Sequence, residues 1–364
     1  MKYNVDKANR PVYLQLYRQI RDDIIDGAFR YGEKLPSKRF LADETEVSTV
    51  TVEHAYSLLC DEGYAEARER SGYYVIFRRS DGFAISSEKS ALPDKSRINS
   101  PATDIPAFSV SILSKTMRRV LSDYRDVILS KAPNIGCIEL RNAIKRYLAR
   151  NRGINVGEEQ IVIGSGAEYL YRLITELLGR DKIYATESPS YDKIEQIFRA
   201  AGVKHELLPL SADGIDSGAL ADSKADILQA TPYRSFPSGV TATATKRHEY
   251  INWASRGERY IIESDYGSEF SVASQPMETL FALSPNDNII YLNTFSKTIS
   301  PSLRVGYMVL PKKLVKPFSE EVGFYSCTVP TFEQYVLTEL IENGDFEQHI
   351  NRVRRLERKK LNGK

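Results

Sequence analysis

Thr294-Phe295-Ser296-Lys297-Thr298 sets hydroxyls around a primary amine, and Arg304 follows seven residues after Lys297. Upstream, Gly164-Ser165-Gly166-Ala167 offers small side chains and backbone N–H groups at the start of a helical pattern, which suits a phosphate. Glu263-Ser264-Asp265-Tyr266 adds carboxylates and a phenol. Singly, such runs are common, since glycine turns often only redirect a chain and most lysines are solvated. Brought together, they would make a site for an anionic small molecule.

Each run follows a short apolar stretch. Gln160–Ile163, Lys182–Ala185, Ala225–Leu228, Arg259–Ile262 and Asn288–Leu292 read as strands. Between them lie helical patterns, one of which carries Leu170, Ile174, Leu177 and Leu178 on a single face. Strands alternating with helices predict a mostly parallel sheet covered on both sides, with ligands at the carboxyl ends of the strands.

The first block reads differently. Pro11 opens a helix with Tyr13, Leu16, Ile20 and Ile24 on one face, ending at Gly27. Ser37 in Leu35-Pro36-Ser37-Lys38-Arg39 can cap a second helix, and Ser48 a third, with Val47 and Val52 as its hydrophobic staple. Val52, Ala55, Tyr56 and Leu59 would pack inward, leaving Thr49, Val50, Thr51, Glu53 and His54 outward. Two strands around Glu69 to Gly72 complete a winged helix-turn-helix, which could bind DNA or serve only protein contacts.

Composition bounds the rest. The 364 residues are 42% hydrophobic and 27% charged, ordinary for globular domains, and 50 basic against 48 acidic side chains give a net charge of +2. No broad electrostatic field advertises a polyanion, and residues 1–79 balance 13 basic with 13 acidic groups, so DNA binding would rely on a local cluster of Lys38, Arg39, Arg68 and Arg70. Three scattered cysteines and four scattered histidines argue against disulfides and metal sites. No membrane span or apolar signal core is evident, so the expected address is the cytoplasm. The segment 78–105, with its serines and prolines, reads as a linker between a domain over 1–77 and one over 106–364.

Leu-Pro-Ser-x-Arg, Val-Ser-x-x-Thr-Val and a glycine-containing wing ending at Val75 make residues 10–77 resemble a GntR-type DNA-binding domain. The resemblance implies contacts to double-stranded DNA at Lys38 and Arg39, at Ser48, Thr49 and Thr51, and at Arg70 and Gly72 of the wing. Thr49 stands where that family often has arginine. From about residue 105 onward, five ordered motifs resemble the fold type I pyridoxal-phosphate aminotransferases: Ser165-Gly166-Ala167, Glu187-Ser188-Pro189-Ser190-Tyr191, Thr231-Pro232 through Gly239, Glu263 through Tyr266, and Ser296-Lys297. A GntR-type head on such a body resembles the MocR family of transcriptional regulators.

The second resemblance implies pyridoxal 5'-phosphate, with Lys297 as the amine for its aldehyde. Arg304, Thr294 and Ser296 would serve its phosphate together with the amides of Ser165, Gly166 and Ala167. Tyr191 would stack on the ring and Tyr266 bond its oxygen, although both could be plain packing tyrosines. Ser264 takes the position of the carboxylate that pairs the ring nitrogen; if Tyr266 faces the ring then so does Ser264, with Asp265 facing away, and the sequence leaves open which of the two meets the nitrogen. Glu168 stands where the family often has glutamine. By the family's pattern the chain also stops before the C-terminal small domain and its substrate-binding arginine. These features imply a regulator that dimerises and senses an amino-acid or amine effector, without efficient transamination. The alternatives are an aminotransferase with real turnover and a truncated product retaining only DNA binding.

Overall fold

The computed structural model describes residues 3–6, 11–69, 71–77, 107–271 and 278–361. Two compact units emerge, Met1–Ser100 and Pro101–Lys364. Arg70 and the expected linker 78–105 lie outside the described residues.

In the first unit, α1 (Val12–Asp26) buries Leu16, Tyr17, Ile20 and Ile24 and stops at Gly27, whose φ of 85° is left-handed. Helices α2 (Lys38–Thr45) and α3 (Thr49–Asp61) start where serine hydroxyls take up orphan amides: Ser37 accepts from Phe40 N, and Ser48 from Thr51 N. Val52, Ala55, Tyr56 and Leu59 are fully buried against α1. The wing is an antiparallel pair, β1 (Ala65–Arg68) and β2 (Gly72–Val75), with Arg68 opposite Gly72. Tyr13, on α1, is half-buried and meets His54 edge-on at 5.8 Å.

The second unit begins with α4 (Val110–Tyr124) and α5 (Ile138–Arg152), then β3 (Ile161–Gly164), α6 (Ala167–Leu178), β4 (Ile183–Ser188) and α7 (Asp192–Ala201). It continues through β5 (Lys204–Ser211), β6 (Gly214–Ile215), α8 (Ser217–Asp222), β7 (Ile227–Ala230), α9 (Ala244–Ala254), β8 (Tyr260–Ser264), α10 (Leu280–Leu283) and β9 (Ile289–Thr294). Last come β10 (Gly306–Val309), α11 (Lys312–Pro317), α12 (Thr331–Glu342) and α13 (Asp345–Leu361).

The strands form one mixed sheet in the order β3-β10-β9-β8-β7-β4-β5-β6, parallel from β9 through β5. Alternation along the strands sends Val162, Ile262, Ile290, Leu292 and Met308 to a core with α6 and α7. Ile161, Ile163, Tyr291, Tyr307 and Val309 point the other way, toward α5 and α12. Both faces are therefore covered, as the sequence implies. Strands β5, β6 and β10 are additions to the sequence reading. Lys204, Glu206 and Pro209 mask β5, and β10 is a four-residue strand that runs against both neighbours.

Register gathers the chemistry. Gly306 pairs with both Gly164 and Thr294, and Ser264 pairs with Leu292, so the ends of β3, β9 and β8 share one edge of the sheet. Among the described residues, no helix is long and apolar enough to cross a membrane.

Candidate functional site

On the winged unit, Arg39 is exposed at the start of α2 with no ion pair among the described residues, whereas Lys38 is held 2.7 Å from Glu53 of α3. The Ser48 and Thr51 hydroxyls bond each other at 2.8 Å, so both help to cap α3, and Thr49 is exposed beside them. Gly72 has a φ of 117°, and a Cβ there would approach Lys34 Cε to 3.0 Å, so the wing turn requires glycine. Arg68 is paired with Glu66 at 2.7 Å and lies over Tyr74.

If this face meets DNA, the Glu53 carboxylate would oppose its phosphates twice, by its own charge and by occupying Lys38. Glu53→Gln should therefore tighten DNA binding and steepen the salt dependence by about one phosphate contact, while Arg39→Ala should do the reverse. Titrations at several salt concentrations check this. Unchanged slopes in both variants would contradict the assignment of this face.

In the second unit, Lys297 Nζ lies 4.6 Å from the centre of the Tyr266 ring, and any Cβ at Gly267 would collide with the lysine. Burial first, and then the Arg234 guanidinium, push the Lys297 amine below the ordinary lysine range, against a smaller pull from Glu269. A depressed pKa leaves more of the amine neutral and nucleophilic.

Arg304, itself left-handed at φ 46°, reaches back to the turn before α6, where a Cβ on Gly166 would lie 3.2 Å from its guanidinium. Two of the three amides expected to cradle a phosphate are engaged. Ser165 N donates to Thr328 Oγ1 at 3.1 Å, and Gly166 N to Gly164 O at 2.8 Å, which leaves Ala167 of the three, with the Glu168 amide beside it in the first turn of α6. Nearby, Thr294 Oγ1 and Ser296 Oγ are buried without a hydrogen-bond partner among the described residues. Buried hydroxyls are rarely left so, and an anion would satisfy them. This set of amine, guanidinium, helix start and two unsatisfied hydroxyls fits pyridoxal phosphate. One group opposes it: Glu168 holds Arg304 at 2.8 Å and Lys193 at 2.6 Å through different oxygens. Lys193 chiefly, with Arg304, keeps that carboxyl below the usual range.

Neighbours in β8 and its extension diverge. Asp265 accepts from Arg152 Nε at 2.9 Å and Tyr291 OH at 2.6 Å in a buried cluster with Ser268. Ser264 is on the α6 side, where the Tyr171 hydroxyl sits beside it and Gln229 without completing a hydrogen bond to either. Tyr191 and Tyr266 are both substantially exposed at the sheet edge, and Tyr191 meets Phe236 edge-on at 6.4 Å.

The loop carrying Arg234 and Phe236 is tied to β4 by Glu187, which accepts from Thr231 N at 3.1 Å and from Ser235 Oγ. Burial pushes the Glu187 carboxyl up to about 7. The folded carboxyl thus keeps its proton to higher pH than the unfolded one, whose ordinary value is 4.5. Its stabilising contribution is full below that value and is lost as pH rises toward 7, at up to about 1.4 kcal/mol per pH unit. Glu187→Gln should flatten this decline. Denaturant unfolding followed through Trp253, the single tryptophan, at about pH 5 and about pH 7 checks it. An unchanged pH dependence would remove Glu187 from the account.

With the geometry in place, comparison with known proteins extends it. The family described as "Bacterial regulatory proteins, gntR family" matches residues 12–75, and "Aminotransferase class I and II" matches residues 128–360. The HTH-type transcriptional regulator YdeL of Bacillus subtilis (strain 168) is 34% identical over 359 residues, covering 96% of this chain and 77% of YdeL. A "Probable rhizopine catabolism regulatory protein MocR" of Rhizobium meliloti is 27% identical, covering 97% of this chain and 77% of its own. Among solved structures, a kynurenine aminotransferase of Pyrococcus horikoshii in complex with PMP superposes with a TM-score of 0.62 at 25% identity, over 70% of this chain. The chain spans 66% of that enzyme, just under two thirds. Both family matches fall in one sequence, nearly all of which aligns with about three quarters of such regulators, and the chain therefore belongs to the MocR type of HTH-type transcriptional regulators, a GntR domain followed by an aminotransferase class I and II domain.

Proposed function

We propose that this DNA-binding regulator works in the cytoplasm as a homodimer whose second unit holds pyridoxal 5'-phosphate and senses an amino-acid or amine effector there. The observation that carries the cofactor reading is the meeting of Lys297, Tyr266 and the glycine-lined approach at Gly267 on the same sheet edge as Arg304 and Gly166. When bound, the cofactor supplies an aldehyde that takes up a primary amine. Lys297 is the amine of this chain that meets it. Arg304, the Thr294 and Ser296 hydroxyls and the amides that open α6 hold the phosphate, while Tyr191 and Tyr266 flank the ring. An effector with its own amine would take the place of Lys297 there and leave the lysine as a free amine, so the regulator would have two chemically distinct states. DNA contacts come from Arg39, Thr49 and the wing, and dimerisation supplies two half-sites, since one winged helix with balanced charge makes few phosphate contacts.

The test is borohydride reduction of the full-length protein mixed with the cofactor, followed by peptide mapping. Label is expected on Lys297 and is expected to vanish in Lys297→Ala. Label on a different lysine, or none on folded protein, would remove this assignment.

A further inference from the structure

Glu168 is unusual among the groups around the anion site because it already supplies one. Its two oxygens are divided, Oε2 on Arg304 at 2.8 Å and Oε1 on Lys193 at 2.6 Å. Arg304 is the guanidinium closest to Gly166, and it has no other acid partner among the described residues. A phosphate entering beside the Thr294 and Ser296 hydroxyls therefore meets an arginine whose charge is already spoken for. The side chains of Glu168, Arg304 and Lys193 are 36%, 49% and 51% exposed, so these pairs are weak enough to exchange. Because Lys193 binds the other oxygen, Glu168 has somewhere to stay when Arg304 leaves it.

We propose that Glu168 is an internal competitor for the phosphate site, released toward Lys193 when an anion takes Arg304, and that it sets how much the phosphate group contributes to ligand binding. The inference rests on the cofactor reading above. It makes this chain a weak and exchangeable holder of phosphorylated ligands, in which the ring and aldehyde account for more of the affinity than the phosphate does. As an acidic residue in the first turn of α6, Glu168 also favours the helix dipole, but that role predicts no discrimination between ligands.

The experiment compares the full chain with Glu168→Gln, and with Glu168→Ala as a second variant. Pyridoxal phosphate and its phosphate-free analogue pyridoxal are measured by equilibrium dialysis, and inorganic phosphate by thermal shift. Both variants should bind pyridoxal phosphate and inorganic phosphate about two- to fivefold tighter, the scale of one solvent-exposed ion pair, and leave pyridoxal unchanged. Lys193→Met should weaken both phosphate ligands in the natural sequence and do little in the Glu168→Gln background, because its effect runs through the carboxylate. An unchanged ratio of pyridoxal phosphate to pyridoxal affinity, or a weaker one in Glu168→Gln, would overturn the proposal. The two readings fail separately. Tighter phosphate binding in Glu168→Gln without any label on Lys297 leaves the competitor and removes the cofactor. Label on Lys297 with identical affinities in all variants does the opposite.

Discussion

Asp265→Asn is expected to lower the unfolding free energy of the second unit by about 3–5 kcal/mol, the usual cost of removing one partner from a buried ion pair. Arg152 and Asp265 are only 6% and 5% exposed. The Asp265 carboxylate also accepts from Tyr291 OH, and Arg152 reaches Ser268 Oγ as well. With asparagine in place the guanidinium stays buried without its charge partner. Glu269 limits the damage: burial first, then repulsion from Asp265, raises its carboxyl to about 7, against an opposing pull from Arg152. Loss of the Asp265 charge lets Glu269 ionise more readily and share in neutralising Arg152. Exposed pairs such as Arg146–Glu342 and Arg150–Glu347 should cost about 1 kcal/mol or less when broken. Denaturant unfolding followed through Trp253 measures all three, and Arg152→Met/Asp265→Asn should recover part of the loss by removing both charges. A change below about 1 kcal/mol for Asp265→Asn would mean the pair is not buried as described.

Nothing local in the sequence announces that pair. Arg152 and Asp265 are 113 residues apart, and an arginine at the last turn of α5 ahead of Gly153 reads as an ordinary helix end. The capture of the Ser165 amide by Thr328, 163 residues on, is equally silent. What the sequence does carry is whatever depends on near neighbours. Ser37 and Ser48 mark the starts of α2 and α3 because a hydroxyl three residues before an orphan amide is a local device. Strands β3, β4, β7, β8 and β9 show as apolar runs because both of their faces are buried. Strand β5 lies one position from the sheet edge and half faces solvent, so its charges blur the pattern. At the site itself Lys297, Arg304 and the Gly164–Ala167 turn are each visible as motifs. The Glu168 carboxylate was visible too, but its attachment to Arg304, 136 residues away, needed the antiparallel β10 between β3 and β9, which the sequence reading lacks.

The partition of Ser264 and Asp265 between the two faces of the sheet bears on turnover. In the natural sequence conversion of an amino acid to its keto acid should stay near background even with cofactor present, because Asp265 is committed to Arg152 and Tyr291 and cannot hold a proton on a ring nitrogen. Serine at position 264 offers a hydroxyl, which stabilises a cationic ring far less than a carboxylate does. Ser264→Asp should place an acid on the α6 side, where the Tyr171 hydroxyl, without a hydrogen-bond partner among the described residues, can donate to it and offset part of its burial cost. The expected gain is about 10²–10³ in rate, the scale of one preorganised electrostatic group. A proton held on the ring nitrogen by the new carboxylate should also move the visible absorbance or its pH dependence, which reads the same change without turnover. Asp265→Asn should leave that absorbance alone while it weakens the fold, so the two substitutions separate positioning of the cofactor from support of the sheet. Natural protein that already turns over at about 1 s⁻¹ or faster, or Ser264→Asp that alters neither rate nor absorbance, would show that the carboxylate serving the ring comes from elsewhere in the chain.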